Sequence, residues 1–163
     1  MEPNDQKTAL VIMEAGARWP SYARELAGRA SSAVVESQQV SESLGEFSER
    51  VTGRLRRLAE RQIRVPVAIL ATNQRIDREA EVARYQMARQ VVGLLAEHGG
   101  GELLVMGGEH FADEVRHALM AFAGALCDGL HGSSVNVRLR FGADQSGTRR
   151  LGPLPRIARS SSS

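Results

Sequence analysis

Two patterns of apolar residues alternate along this chain. Five short runs of strand length are apolar at nearly every position or alternate apolar with polar, and the segments between them carry apolar residues at steps of three and four. The first pattern predicts β-strands and the second predicts amphipathic helices. The predicted strands are Thr8–Met13, Ala33–Val35 with Glu36, Val65–Ala71, Leu103–Met106 and Val135–Phe141.

Start and stop signals predict four helices between these strands. Pro20 opens the first, since proline is tolerated in a first turn, and Ser43 with Glu46 matches a capping box that starts the second. Either Asn73 or Asp77 caps the third, which the glycines at 99–101 end. The helices span about 20–30, about 43–62, from near 77 to before 99, and about 112–129. The predicted apolar stripes are Leu44, Phe47, Val51, Leu55 and Leu58 in the second helix and Ala80, Ala83, Met87, Val91 and Leu94 in the third.

The resulting order, βαβαβαβαβ, is typical of an α/β fold. Short links and right-handed crossovers favour a doubly wound, mainly parallel five-stranded sheet with helices on both faces. We expect the flavodoxin-like strand order 2-1-3-4-5, with a Rossmann-type order as the alternative. Residues 8–141 are predicted to form one domain, whereas residues 1–7 and the Arg-, Gly-, Pro- and Ser-rich tail at 142–163 are predicted to be disordered.

Composition narrows the class of protein. Of the 163 residues, 42% are hydrophobic and 25% charged, as in ordinary globular domains, and no apolar run approaches the roughly 18 residues of a membrane span. The first ten residues lack a signal-peptide pattern, and Cys127 is the only cysteine, so we expect a cytoplasmic protein without an internal disulfide. Cys127 falls in an apolar helical run, which predicts a buried, inert thiol.

The formal net charge of +2 gives no argument for nucleic-acid binding. Of the 21 basic residues, 20 are arginines, and four of these lie in the tail beside a single aspartate. The predicted domain is therefore close to neutral, and its basic character is local rather than global.

A ligand site is expected beyond the carboxyl ends of the strands, where the direction of the chain connections reverses. For the order 2-1-3-4-5 that point lies between the first and third strands. Arginines, helix N-termini and flexible glycines there suit a small anionic ligand, although polar, glycine-rich turns are also ordinary features of strand ends. The residues predicted for this site are Glu14, Gly16, Arg18, Thr72, Asn73, Arg75, Gly107, Gly108, Glu109 and His110.

Nucleotide-binding signatures are missing from these turns. The first strand is followed by EAGARWP rather than GxGxxG, and the only lysine, Lys7, cannot belong to a Walker sequence. The stretch ELLVMGG, seven residues from Glu102, resembles the fourth strand of the universal stress protein family. The resemblance implies a fold and no ATP site, because the spaced glycines and Gly-Ser pair that hold phosphates in that family do not follow Gly107. Glu14 stands near the end of the first strand, where that family has aspartate. No cofactor is predicted.

The spacing of His110, Glu114 and His117 admits a metal site on one helix, since the three lie at i, i+4 and i+7. Neither HExxH nor a second ExxH accompanies them, so we expect a solvated polar helix face and no metal. No serine or cysteine has the context of a nucleophile, and no catalytic residue is predicted.

Two surfaces suggest partners. A basic line follows the second helix and, like the basic tail, suits nucleic-acid phosphates or an acidic protein; the line alternatively forms a solvated edge paired with acids such as Glu46 and Glu49. The run ALMAFAGALC at 118–127 is apolar all round, which favours a homodimer through that helix, with exposed alanines as the plain alternative. The basic line is Arg50, Arg54, Arg57, Arg61 and Arg64, and the predicted dimer residues are Met120, Ala121, Gly124 and Ala125.

These features together predict a non-catalytic α/β regulatory or protein-interaction module that forms a homodimer. The first alternative is a small-ligand or nucleotide sensor that uses the crevice at the ends of the first and third strands. A small enzyme of unknown reaction is the second alternative.

Overall fold

The computed structural model of the chain describes residues 7–18, 30, 32–129 and 134–142. The predicted helix at 20–30, the first six residues and the tail from 143 onward lie outside the described residues. The described elements are β1 (Thr8–Met13), β2 (Ser32–Ser37), α1 (Leu44–Glu60), β3 (Val67–Ala71), α2 (Arg78–Glu97), β4 (Gly101–Gly107), α3 (Asp113–Asp128) and β5 (Val135–Phe141).

All five strands join one parallel sheet in the order β2-β1-β3-β4-β5. The predicted doubly wound fold and its strand order are therefore confirmed. Because the chain passes from β1 outward to β2 and then returns past β1 to β3, the connection direction reverses between β1 and β3. This reversal leaves the carboxyl ends of the two strands with diverging loops, which is where a ligand crevice is expected.

One face of the sheet packs against all three described helices. Alternate residues of each strand point to that face, so that Leu10 of β1, Leu70 of β3 and Val105 of β4 share one core cluster with the helices. The other face carries a second, separate cluster. Its buried members are Ala9, Val11, Val67, Ile69, Leu104 and Met106. No described helix contributes to this second cluster, and the predicted helix at 20–30 lies outside the described residues.

Helix α1 forms where its capping signal and its apolar stripe agree. The Ser43 hydroxyl accepts a hydrogen bond from the Glu46 N–H at 3.0 Å, and the Glu46 carboxylate accepts one from the Ser43 N–H at 3.0 Å. This reciprocal pair confirms the predicted capping box. All five residues of the predicted stripe are buried. Gln62, with a φ of 62°, follows the helix and turns the chain towards β3.

Several boundaries differ from the predicted ones, and one alternative is settled. β2 and β4 are each longer than predicted, at Ser32–Ser37 and Gly101–Gly107. β3 begins at Val67 rather than at Val65, because Pro66 has no N–H to give to a strand ladder. Helix α2 is capped by Asp77 and not by Asn73: the Asp77 carboxylate accepts from the Ala80 N–H at 3.4 Å. The Asn73 side chain therefore does not cap α2.

Cys127 is buried in α3, as predicted. Burial raises the pKa of its thiol, and the neighbouring Asp128 carboxylate raises it further. The reactive thiolate is therefore suppressed at neutral pH. Among the helices that the structure describes, none is both long enough and apolar enough to pass through a bilayer.

The capping box gives a direct test of the α1 assignment. Replacing Ser43 with alanine removes the side-chain acceptor for the Glu46 N–H, and we expect a loss of about 1 kcal/mol in the free energy of unfolding, measured in urea. The matched control is Ser41→Ala, an exposed position two residues earlier, which should change stability by less than about 0.5 kcal/mol. Equal effects of the two substitutions would contradict the capping role.

Candidate functional site

A cleft of about 610 Å³ opens at the carboxyl edge of the sheet. Eight of the ten residues predicted for a ligand site line it, and only Glu14 and Arg75 do not. The described lining residues are Gly16, Ala17, Arg18, Thr72, Asn73, Gln74, Met106, Gly107, Gly108, Glu109, His110, Phe111 and Gly142. The predicted convergence of three strand-end loops is thus observed, and the volume falls in the range of about 300–1,000 Å³ usual for small-molecule sites.

The first wall of the cleft is a tight turn after β1. The Ala17 N–H donates to the Glu14 carbonyl at 2.9 Å, which closes a four-residue turn. Gly16 occupies its third position with a φ of 85°, a conformation that costs a side-chain-bearing residue free energy. No atom lies within 4 Å of where a Gly16 Cβ would stand, so the turn presents open backbone to the cleft.

Beneath this wall lies a buried ion pair that joins β1 to α2. Arg84 donates to both oxygens of the Glu14 carboxylate, from Nε to Oε2 at 2.6 Å and from Nη2 to Oε1 at 2.7 Å. The two side chains are only 2% and 0% exposed. The pair is bidentate and almost wholly removed from water, which is the arrangement in which an arginine–carboxylate contact is strongest and most directional.

Asn73 completes this network and loses most of its freedom to bind a ligand. Its N–H donates to Glu14 Oε1 at 2.9 Å and its Nδ2 donates to the Ala15 carbonyl at 2.8 Å. Its Oδ1 accepts from the Arg75 N–H at 3.0 Å and from Arg84 Nη2 at 3.2 Å. An amide oxygen has two lone pairs, so this acceptor is fully used and one Nδ2 hydrogen remains.

Arg75 is also committed to the protein. Its guanidinium makes two hydrogen bonds to the Asp77 carboxylate, at 3.0 and 2.8 Å. The contact lowers the pKa of Asp77 and raises that of Arg75. Of the predicted site residues, Glu14, Asn73 and Arg75 therefore hold the loops in place, and Arg18 is the arginine that lines the cleft.

Arg84 is the residue that sequence reasoning missed. The predicted buried stripe of α2 included Ala83 and Leu94, but both are only half-buried, and the helix instead buries Arg84 together with Ala88, Val92 and Leu95. Its position in the sequence could have indicated burial, because Arg84 lies four residues after Ala80 and three before Met87, in line with the apolar stripe. A charged residue at such a position predicts a buried partner.

The opposite wall is built from glycine and aromatic rings. A Cβ on Gly108 would lie 2.7 Å from the Phe111 ring, and one on Gly107 would lie 2.8 Å from the Phe141 ring. These glycines give the space that the rings occupy. Arg116 of α3 stabilises the loop after β4. Its guanidinium donates to the Glu109 carbonyl at 2.9 Å and lies 4.7 Å from the centroid of the Phe141 ring.

The histidine cluster predicted as a solvated face does not share one helix. α3 begins at Asp113, so His110 lies in the preceding turn and the helical i, i+4, i+7 geometry does not apply to it. Its side chain is 91% exposed, with Nε2 3.2 Å from Glu109 Oε2. Across residues 7–18, 30, 32–129 and 134–142, no three His, Cys, Asp or Glu side chains stand close enough to hold a metal ion.

The basic line on α1 divides into two halves. Arg50 binds Glu36 at 2.5 Å and Glu42 at 2.8 Å, and Arg54 binds Glu36 at 2.7 Å. The hydrogen bond with Arg50 lowers the pKa of Glu42. The acids that pair with the line are therefore not Glu46 and Glu49, the expected neighbours, because Glu36 and Glu42 reach it from β2 and the loop that follows.

The second half of the line stays exposed. Arg57, Arg61 and Arg64 are all exposed, and none forms an ion pair with another described residue. They lie at the end of α1 and the start of the next connection, far along the helix from the cleft edge. Binding of an acidic protein or nucleic acid through this half stays a prediction.

The predicted dimer residues on α3 are only partly open. Ala121 and Ala125 are exposed and Met120 and Gly124 are half-buried, while Cys127 and its neighbours on the inner side are buried. The exposed face of α3 therefore has small side chains at its middle, Ala121 and Ala125, with Glu114, His117 and Asp128 exposed on either side along the helix. Its Phe122 contacts Tyr85 of α2 edge-to-face, with ring centroids 6.5 Å apart.

Comparison of the chain with protein-family models, with curated proteins and with solved structures finds no match.

The buried pair supplies a stability prediction. Arg84→Met leaves the Glu14 carboxylate buried without its cation, and we expect the free energy of unfolding to fall by about 3–5 kcal/mol in urea denaturation. Adding Glu14→Gln to Arg84→Met should cost less than the sum of the two single changes, because the two groups act as a unit.

The control for this prediction is Arg75→Met, which removes an exposed arginine from an ion pair close by. It should change stability far less, since exposed pairs are screened by water. An Arg84→Met variant as stable as Arg75→Met would show that the buried pair does not hold the edge together.

Proposed function

We propose that this chain is a non-catalytic α/β regulatory module that binds a small ligand in the cleft at the carboxyl ends of its strands. The observation that carries the proposal is the convergence of three loops, after β1, β3 and β4, on one cleft of about 610 Å³. This is the edge at which parallel sheets bind ligands. Loops fixed by internal hydrogen bonds lose little conformational entropy when a ligand binds, which favours affinity.

The non-catalytic part of the proposal rests on what the acid–base groups do. Both Glu14 oxygens accept hydrogen bonds from Arg84 and the side chain is fully buried, so this carboxylate is committed to the ion pair and does not line the cleft. Glu109 and His110 contact each other at the exposed rim instead of converging on a point inside the cleft. General acid–base catalysis needs such a group within hydrogen-bond reach of the reacting atom, out of bulk water.

Ligand binding is tested by thermal unfolding against a panel of small metabolites. A compound that binds only the folded protein at 100 times its dissociation constant adds about 2.7 kcal/mol, which raises the unfolding midpoint by several degrees. The cleft-filling variant Ala17→Leu should lose the shift, and Ala96→Leu, an exposed alanine on the far end of α2, should keep it. A panel without shifts, or shifts that survive Ala17→Leu, would contradict the proposal.

Arg18→Ala is the better single-residue probe of ligand contact than Asn73→Ala. Replacing Asn73 with alanine also removes three side-chain hydrogen bonds that fix the loops, so a lost shift would report structure as much as binding. Arg18 lines the cleft and is exposed.

A second candidate function is protein interaction, with a second copy of the chain as the partner. The outer face of α3 supports it, because Ala121 and Ala125 allow another helix to approach closely and the Tyr85–Phe122 pair extends the apolar surface onto α2. Isologous packing of this face against itself would bury Met120 and Gly124 as well.

The homodimer has a decisive test in light scattering at micromolar concentration. The wild-type chain should give the dimer mass, and Gly124→Arg should give the monomer mass because a long charged side chain then stands at the interface. Gly53→Arg on α1 is the matched control, since its added Cβ would meet only Arg57 Nη1 at 3.6 Å, and it should leave the dimer intact. A monomer mass for the wild-type chain would contradict the proposed homodimer.

A further inference from the structure

We infer that the cleft takes a ligand with a flat aromatic or otherwise apolar body and at most one negative charge, and that it does not take a nucleotide polyphosphate. The inference rests on the ligand-binding function proposed above and specifies the chemistry of the ligand. It departs from the anion-binding site that the sequence suggested, and four structural observations lead to it.

The first observation is the charge of the lining. Among the described lining residues the ionisable side chains are Arg18, Glu109 and His110. The lining therefore carries one arginine and one carboxylate, and the histidine contacts that carboxylate. A polyphosphate carries several negative charges, and one arginine opposed by a glutamate does not compensate them.

The second observation is how the glycines are used. In phosphate-binding loops, glycines leave backbone N–H groups open to the phosphate oxygens. Here the Phe111 ring fills the space beside Gly108, at 2.7 Å from the position of a Cβ, and it also reaches Gly107. These two glycines make room for an aromatic wall of the cleft, not for a phosphate.

The third observation is that two polar side chains of the lining, Thr72 and Asn73, are already paired within the protein. The Thr72 hydroxyl donates to the Met106 carbonyl at 3.1 Å, and both acceptor positions of Asn73 Oδ1 are occupied. What these residues still offer is the Thr72 oxygen as an acceptor and one Asn73 amide hydrogen. A ligand that needs many hydrogen bonds would leave some of its own polar groups unpaired, at a cost in affinity.

The fourth observation concerns the helices that begin at this edge. The first turn of α2 carries Glu79 and Glu81, and that of α3 carries Asp113 and Glu114. These carboxylates offset the positive ends of the helix dipoles, which otherwise attract anions. The N-termini of these two helices therefore give a polyanion little extra attraction.

The cleft therefore suits a ligand with an aromatic or apolar body and at most one negative charge. Phe111 gives an aromatic surface, Ala17 adds a small apolar one, and Arg18 gives a single cation at the rim. An aromatic ring stacks against such a wall with about 0.5–1.5 kcal/mol beyond simple burial. A single carboxylate, sulfonate or phenolate on that ring would meet Arg18.

The inference is tested with three probes on the full chain. 8-Anilinonaphthalene-1-sulfonate has an aromatic body and one anionic group, adenosine has an aromatic body and no charge, and ATP adds a triphosphate to adenosine. We expect saturable fluorescence enhancement with the sulfonate probe, competition by adenosine at millimolar concentration or below, and no competition by ATP at equal ionic strength. Binding should disappear in Ala17→Leu, which separates cleft binding from adsorption elsewhere.

Arg18→Ala should weaken the sulfonate probe about tenfold and leave adenosine unchanged, because only the sulfonate uses the cation. Arg89→Ala, an exposed arginine on α2, is the charge-matched control and should change neither. Displacement of the probe by ATP but not by adenosine would overturn this inference and leave the proposed function standing. Absence of saturable binding by all three probes would remove the proposed function and this inference with it.

Discussion

The carboxyl edge of this sheet depends on the buried ion pair between Glu14 and Arg84. Moving two charges out of water costs several kcal/mol per ion, and only good geometry with further hydrogen bonds offsets that cost. The pair meets this condition: both carboxylate oxygens are bound by Arg84, and Asn73 supplies another donor. Across the described residues no buried side-chain nitrogen or oxygen lacks a hydrogen-bond partner. The network is therefore complete, and its members have one arrangement each.

The ion pair determines which residues the cleft can use. Because Glu14 follows β1 and Asn73 follows β3, their contact ties together the two loops that diverge at the switch point of the sheet. The side chains that make these hydrogen bonds are not available to a ligand. The open surface of the cleft is left to the Gly16 backbone, to Arg18 and to the aromatic wall at Phe111. The same hydrogen bonds therefore fix the loops and leave few polar side chains of the cleft unpaired.

The sequence was sufficient for the architecture and for the place of the cleft. Apolar runs and capping signals are local, so the strands and the capping box at Ser43 followed from short-range patterns, whereas the crossover rules left a Rossmann-type order open beside the observed one. The roles of individual polar residues did not follow, because their partners are distant in sequence. Arg84 is separated from Glu14 by 70 positions, and no local pattern predicts such a pair. The helix at 20–30 lies outside the described residues, so that expectation stays a prediction.

The same reasoning explains why the arginine-rich composition is a poor guide to binding. Arg50 and Arg54 are used to neutralise Glu36, whose side chain is only 7% exposed at the edge strand β2, as Arg84 is used to neutralise Glu14. In each case an arginine from a helix reaches a carboxylate at the carboxyl end of a strand and fixes the helix to the sheet. The planar guanidinium suits this role because it has several fixed donors: Arg84 binds both oxygens of Glu14, and Arg50 and Arg54 bind one oxygen of Glu36 each, whereas a lysine offers only a point charge. A charge count along the sequence therefore adds together cations that hold the fold and cations that face solvent. Only the second kind can attract a ligand or a partner.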